Sequence, residues 1–125
     1  MFVRASSGGG GGSNVITPII GGYCASTTGT GTKAYTYYAL NDSTAASYAD
    51  GVITINKSGT YRIGVFIRDI SAFTQRLVVG GESIPITATN YYSFIRVLNV
   101  NDTVYFNRID SSGNTSFSLD VDLLS

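Results

Sequence analysis

From Asn14 onward, short β-prone runs alternate with turn dipeptides at spacings of about eight to twelve residues. Two runs place an apolar side chain at every second position, namely Tyr61, Ile63, Val65 and Ile67 in Thr60–Arg68, and Phe117, Leu119, Val121 and Leu123 in Thr115–Leu124. This period is that of a strand with one buried face, and no run after Ser13 keeps a helical period. The pattern predicts an all-β sandwich, jelly roll or barrel with these side chains in its core.

The remaining strands are predicted from β-prone composition and from the turns that separate them. Tight turns are expected at three dipeptides, Asp50–Gly51, Gly80–Gly81 and Asn101–Asp102. The other predicted strands are Asn14–Ile20 (broken at Pro18), Ala34–Leu40, Val52–Asn56, Gln75–Val79, Glu82–Ala88, Tyr91–Leu98 and Thr103–Ile109. In Tyr91–Leu98 two registers stay open, because either Ile95 and Val97 or Phe94 and Leu98 could point inward. The total is about eight to ten strands.

Composition limits the classes of partner and reaction. Only 13% of the residues are charged and no basic run occurs, which argues against nucleic acid and membranes as ligands. Histidine is absent and Cys24 is the single cysteine, which excludes histidine-based triads, multi-thiolate metal sites and intrachain disulfides. No signal peptide and no membrane-spanning run is predicted. We therefore expect a protein without catalytic residues, metal or cofactor, made in a cytoplasm.

Asp120 and Asp122 are the acidic pair that most invites a functional interpretation. They stand two positions apart on one face of a predicted strand, about 7 Å from each other. We expect a solvated outer face. The alternatives are a cation site, or a catalytic pair of the glycosidase kind, which needs carboxyl groups about 5–10 Å apart in a cleft.

A run of five glycines, Gly8–Gly12, divides the chain into an N-terminal segment, 1–13, and a body, 14–125. Consecutive glycines retain backbone freedom and bury no side chain, so the run is predicted to be a hinge. The segment before it is predicted to attach the body to a partner. The residues assigned to this tip and hinge are Met1, Phe2, Val3, Arg4, Gly8, Gly9, Gly10, Gly11 and Gly12.

Tyrosine is abundant, with nine residues, and several of them cluster in two segments. A tyrosine provides a large contact area and a hydrogen-bonding tip, so it suits packing in a core or between subunits as well as an exposed binding surface. Both interpretations remain open here. The residues that would form an exposed ligand surface are Tyr35, Tyr37, Tyr38, Tyr91 and Tyr92.

Four segments follow one another in an order that resembles the C1q and tumour-necrosis-factor-like jelly rolls. Gly51–Ile67 resembles the family's central signature, in which a Gly-x-Tyr pair, here Gly59 and Tyr61, opens a strand. The other matching segments are Leu77–Glu82, Leu98–Phe106 and Thr115–Leu124. Two features depart from the family, since Asn101 occupies a turn position that usually carries glycine and tryptophan is absent. The calcium sites of the family have no recognisable counterpart.

This resemblance implies a jelly-roll sandwich that assembles as a compact homotrimer around aromatic-rich faces. The predicted intersubunit contacts are Phe66, Phe94 and Tyr105. These aromatic side chains either point away from the alternating core positions or lie in a strand whose inward face is ambiguous.

The order of the parts provides a second resemblance. A Met-x-Val-Arg-Ala-Ser tip, a polyglycine run and one β-domain are similar to the layout of small virion proteins of tailed bacteriophages. That layout implies a non-enzymatic virion component, such as a head fibre, decoration or tail-tip protein, which trimerises through its body and contacts other virion proteins through its N-terminus. The alternative is a module that binds a host receptor or carbohydrate, with a host-surface glycan or protein as its ligand.

Overall fold

The computed structural model describes residues 3–4, 14–70, 75–87, 90–109 and 113–124. Most of the predicted tip and hinge, including Met1, Phe2 and Gly8–Gly12, lies outside these residues. The described part forms twelve strands and no helix, and so contains no helix able to cross a membrane. The strands are β1 Val3–Arg4, β2 Asn14–Thr27, β3 Gly31–Lys33, β4 Tyr37–Leu40, β5 Ala46–Ala49, β6 Val52–Ile55, β7 Gly59–Ile70, β8 Gln75–Val79, β9 Glu82–Ile86, β10 Tyr91–Leu98, β11 Thr103–Arg108 and β12 Thr115–Leu124.

Two antiparallel sheets form a sandwich. The front sheet has the strand order β1-β2-β12-β7-β10, and β4 also pairs with β2. The back sheet has the order β5-β6-β11-β8-β9, and β3 also pairs with β11. The last strand thus lies between β2 and β7, and β11 lies between β6 and β8. Pairing of strands that are distant in the chain, within two packed antiparallel sheets, is typical of a jelly roll. The predicted fold class is therefore confirmed.

The core lies between the sheets and contains the side chains that the alternation predicts. Tyr61, Ile63, Val65 and Ile67 are fully buried, as are Phe117, Leu119 and Val121, while Leu123 is half-buried against the same cluster. The two sheets meet through the rings of Phe106 on β11 and Phe117 on β12, whose centroids are 4.2 Å apart. The inward assignment of β7 and β12 is therefore confirmed.

Pairing with β7 selects one of the two registers left open for β10. Phe94 lies opposite Ile63, a core residue, and Ile95 lies opposite Arg62. Paired residues in a sheet point to the same face, so Phe94 and Leu98 face the core while Ile95 and Val97 face solvent.

The first long strand differs from its prediction. The expected break at Pro18 is wrong, because β2 continues through Gly21 and Gly22 to Thr27. Pro18 cannot donate to the ladder, and it lies opposite Asp122, where the register between β2 and β12 shifts. Gly22 is required where β4 crosses, since a Cβ there would lie 2.7 Å from the Cα of Tyr38. β3 and β5 were not predicted, and Ala34–Leu40 contributes only β4.

The turn at Asn101 explains one departure from the family pattern. Asn101 has φ of 78°, in the left-handed region where glycine is favoured and asparagine is tolerated. The Asp102 carboxylate accepts a hydrogen bond of 2.7 Å from the Asn99 amide and closes this turn. Asn101 therefore adopts the left-handed backbone conformation that this turn requires.

Candidate binding face

The outward surface of the front sheet, here called the front face, carries side chains in rows that run across the strands. The first row is aromatic, and its members are neighbours in register, namely Tyr37 on β4, Tyr23 on β2, Ser118 on β12, Phe66 on β7 and Tyr91 on β10. The rings of Tyr23 and Tyr37 stack with centroids 6.2 Å apart. All four aromatic members are exposed, Tyr37 by 67%. Four large rings therefore face solvent in one line.

The second row is almost free of side chains. Its members in register are Ala39, Gly21, Asp120, Gly64 and Ser93. A Cβ on Gly21 would lie 2.5 Å from Oδ1 of Asp120 and one on Gly64 would lie 2.7 Å from the Tyr91 hydroxyl, so a larger residue at either position would displace the end of that side chain. The Asp120 carboxylate consequently stands alone among small residues, in a trough beside the aromatic row.

The third row contains an ion pair. Arg62 donates from Nε and Nη2 to Oδ2 of Asp122, at 3.2 and 2.7 Å. Pro18 flanks Asp122 on one side, and Ile95 flanks Arg62 on the other. Since the arginine side chain is 38% exposed, the pair adds little to stability and mainly fixes the direction of both groups.

A cleft of about 290 Å³ opens between the second and third rows at the β2 side of the face. One part of its wall is apolar and another is polar, and the residues that line it are Ile16, Pro18, Ile20, Gly21, Asn41, Arg62, Asp120 and Asp122. The volume is at the lower end of the range for small-molecule sites, about 300–1,000 Å³. The cleft can therefore hold one small ring.

The electrostatics of the cleft centre on Asp120. Partial burial, followed by the nearby Asp122 charge, raises the pKa of Asp120 above its ordinary value of 3.8, and Arg62 offsets part of this effect. Behind the strand, the Tyr35 hydroxyl donates to the carbonyl of Leu119 at 2.7 Å. Burial raises the pKa of Tyr35 far above its ordinary range, so this phenol remains a neutral donor that holds β12 in place.

The tyrosines predicted to form one ligand surface are divided by the structure. Tyr37 and Tyr91 are exposed on the front face, whereas Tyr92 is half-buried against the core. Tyr35 and Tyr38 pack with Tyr48 at the edge of the sandwich, where the Tyr38 and Tyr48 ring centroids are 4.5 Å apart. This edge cluster packs part of its surface against the core.

The aromatic residues predicted for the trimer contact are also separated. Phe66 is exposed on the front face, but Phe94 points inward from β10. Tyr105 belongs to β11 of the back sheet, opposite Val78. These three side chains cannot form one contact surface, because strand alternation and sheet membership place each on a different face.

Other residues of the front face escaped prediction from the sequence. Tyr23 lies beyond the predicted end of its strand, and Asn41 lies in the turn after β4. The alternation in β7 already places Arg62 and Gly64 outward, yet their neighbours come from strands distant in the chain. Among the described residues, no group of three or more histidine, cysteine or acidic side chains could hold a metal ion.

Comparison with known proteins supports the fold. The chain matches no protein-family model and no curated protein sequence. Among solved structures, the phage PRD1 vertex protein P5 is similar with a TM-score of 0.57 and 14% identity, over 89% of this chain and 99% of that one. Murine APRIL is similar with a TM-score of 0.49 and 10% identity, over 85% of this chain and 99% of that one. The chain thus shares the jelly-roll fold of PRD1 vertex protein P5, as predicted from the sequence.

Proposed function

We propose that this chain is a non-enzymatic structural protein of a phage virion, whose body forms a homotrimer and whose N-terminal segment attaches it to other virion proteins. The virion assignment is supported by the fold shared with PRD1 vertex protein P5. The observation that carries the assembly is the set of large aromatic and aliphatic side chains exposed on the front face, which a free monomer would leave in contact with water. Large exposed apolar patches are unusual on monomers.

The contact is assigned to four side chains at the β10 side of the front face, here called the edge patch. They are Phe66, Tyr91, Ile95 and Val97, exposed by 40%, 54%, 59% and 72%. Phe66 and Tyr91 are direct cross-strand neighbours, and the other two follow on the same face of β10. The four side chains therefore lie on one outward surface, with Ser93 between Tyr91 and Ile95.

A second copy of the chain is the occupant that fits this patch best. Because β10 ends the front sheet, another subunit can approach it without displacing a described strand. In a cyclic assembly each edge patch meets a different surface of the next copy, so the ring closes and no patch stays exposed. The number three follows from the resemblance to trimeric jelly rolls.

Light scattering on the purified full chain tests the assembly. We expect a mass of three times 13.2 kDa that persists at micromolar concentration. Replacing Ile95 by Asp should dissociate the trimer into folded monomers, since an unpaired charge buried in a contact is costly. Ser47→Asp, on the exposed outer side of β5, is the matched control and should remain trimeric. A wild-type monomer at every concentration would overturn the proposal.

The attachment is tested in phage particles, with mass spectrometry to detect the chain. Val3 and Arg4 pair with Val15 and Asn14, which places β1 at the β2 edge of the front sheet. Deleting 1–13 should leave a folded body that is lost from purified particles. Incorporation of the truncated chain at wild-type levels would show that another surface makes the attachment. Absence of the full chain from particles would contradict the virion assignment itself.

A further inference from the structure

The cleft beside Asp120 is not explained by the assembly of subunits. It lies at the β2 side of the front face, where Gly21 is among its lining residues, and it borders the edge patch only through Arg62, the cross-strand neighbour of Ile95. The cleft is open because Gly21 has no side chain and the register shift near Pro18 displaces β2 relative to β12. The fold therefore provides a preformed recess on a single subunit.

The polar groups of the cleft include hydrogen-bond acceptors and donors that can bond to a ligand. Oδ2 of Asp122 receives hydrogen bonds from Nε and Nη2 of Arg62, and among the described residues no hydrogen bond from Nη1 is found. In the part of the chain that the structure describes, no hydrogen bond to the Asp120 carboxylate is found, and the exposed Asn41 amide can donate as well as accept. Acceptor and donor positions thus occur within one recess.

This combination distinguishes between classes of ligand. An anion would be drawn to Arg62 but repelled by Asp120 and Asp122, and a cation would meet the opposite conflict at Arg62. A hydroxyl group donates and accepts, so neighbouring hydroxyls on a neutral molecule can use Asp120, Asn41 and Arg62 together. The mixed lining favours a neutral polyhydroxylated ligand.

The apolar wall and the volume narrow this class further. Ile16 and Pro18 form an apolar side against which the C–H face of a ring can pack, while the Ile20 side chain is buried in the core. A cleft of about 290 Å³ accommodates one ring of this kind and no longer chain. We propose that this cleft binds a single neutral sugar ring, such as the terminal hexose of a glycan, through Asn41, Arg62 and Asp120.

The affinity for a free monosaccharide is expected to be weak. A dissociation constant on the order of millimolar is expected for a free hexose, because a small cleft makes few contacts with one ring. Avidity could raise the apparent affinity if several subunits present the same cleft. The site belongs to one chain, however, so it does not rest on the trimer or on the virion assignment.

Titration of the isotopically labelled full chain, followed by NMR, tests the proposal. Glucose, galactose, mannose and N-acetylglucosamine are added separately up to about 100 mM, well above the expected millimolar constant. We expect at least one sugar to shift the amide signals of Gly21 and Asn41 in a saturable manner. Methylammonium and inorganic phosphate serve as charged probes, and neither should saturate these signals.

Two variants connect the binding to the cleft. Asp120→Asn and Asn41→Ala should each weaken sugar binding at least tenfold. Asp50→Asn is the matched control because it makes the same chemical change at an exposed turn with φ of 51°, which asparagine tolerates. Its affinity should equal that of the wild type. The proposal is overturned if no sugar shifts the cleft signals, if only a charged probe does, or if Asp120→Asn binds as well as the control.

Discussion

The two outward faces of the sandwich differ in the side chains that their strands present to solvent. On the front face a row of aromatic rings lies beside a row of small residues. On the back face, cross-strand neighbours include Thr54 beside Ser47 and Asn107 beside Arg76. Among the described residues, the exposed large hydrophobic side chains within strands belong only to strands of the front sheet, and they are Tyr23, Tyr37, Tyr38, Phe66, Tyr91, Ile95 and Val97.

This difference separates what the fold requires from what function adds. Both sheets obey the same alternation, because each must bury one face against the other. The core constrains only the inward positions, so the outward positions can take any residue that folding tolerates. On the back face Tyr105 and Val78 are only partly exposed beside polar neighbours, whereas the front face exposes four large rings and two aliphatic side chains and so calls for a partner. The front face, whose exposed side chains are unusually apolar for a protein surface, is therefore the one to test.

The largest expected effect separates the inward and outward positions of β12. Leu119 is only 2% exposed, so Leu119→Ala should lower the free energy of unfolding by about 2–5 kcal/mol. The neighbouring Ser118 points to the front face, and Ser118→Ala should change it by less than about 0.5 kcal/mol. Urea denaturation of both variants measures the difference. Equal effects would contradict the assignment of the two faces.

A smaller effect separates two glycines of the front sheet. Gly22→Ala forces a methyl group against the backbone of β4, which should cost about 1–3 kcal/mol. In Gly64→Ala the new methyl meets only the far end of the Tyr91 side chain, which can rotate away, so the cost should be clearly lower. The same denaturation experiment compares them. If Gly64→Ala is the more damaging change, the close crossing of β4 over β2 is wrong.

The sequence predicted the parts of this structure that depend on local pattern. The alternation in β7 and β12 was sufficient to assign their core residues, and the turns at Gly51 and Gly81 were placed correctly, with φ of 86° and 88°. In β10 the pattern was ambiguous, because Phe94 and Ile95 are both apolar and adjacent. Only the pairing of Phe94 with Ile63 decides between them.

The candidate site was less accessible from the sequence. The trough exists because Gly21 is next to Asp120 and Asp120 is next to Gly64, three residues from three distant segments. Local propensity predicts a strand but does not determine which strand lies beside it. Pro18 added a further obstacle, since proline within a β-prone run usually marks a strand end, while here a register shift accommodates it.

The smallest expected effect compares two carboxyl groups of opposite behaviour. The pKa of Asp120 is raised by burial and by Asp122, so ionisation of Asp120 opposes folding, and its effect appears as pH rises through the interval above 3.8. The pKa of Glu82 is lowered by a hydrogen bond from Arg96, so its ionisation supports folding, and this support is lost as pH falls through the lowered pKa. At pH 7, Asp120→Asn should therefore be slightly more stable than the wild type, and Glu82→Gln slightly less.

Both differences should shrink in acid, because the wild-type carboxyls then become neutral like their amide replacements. Urea denaturation of the wild type and both variants at pH 7 and pH 3 measures the four differences. Because Glu82 is exposed and Asp120 is only partly buried, each difference should be small and the one at Glu82 should diminish in high salt. If Asp120→Asn is instead destabilising at pH 7, the Asp120 carboxylate has a favourable partner in the folded protein. Asp120 would then serve the stability of the fold. The front face would no longer differ from the back face by carrying a carboxylate that is free for a ligand.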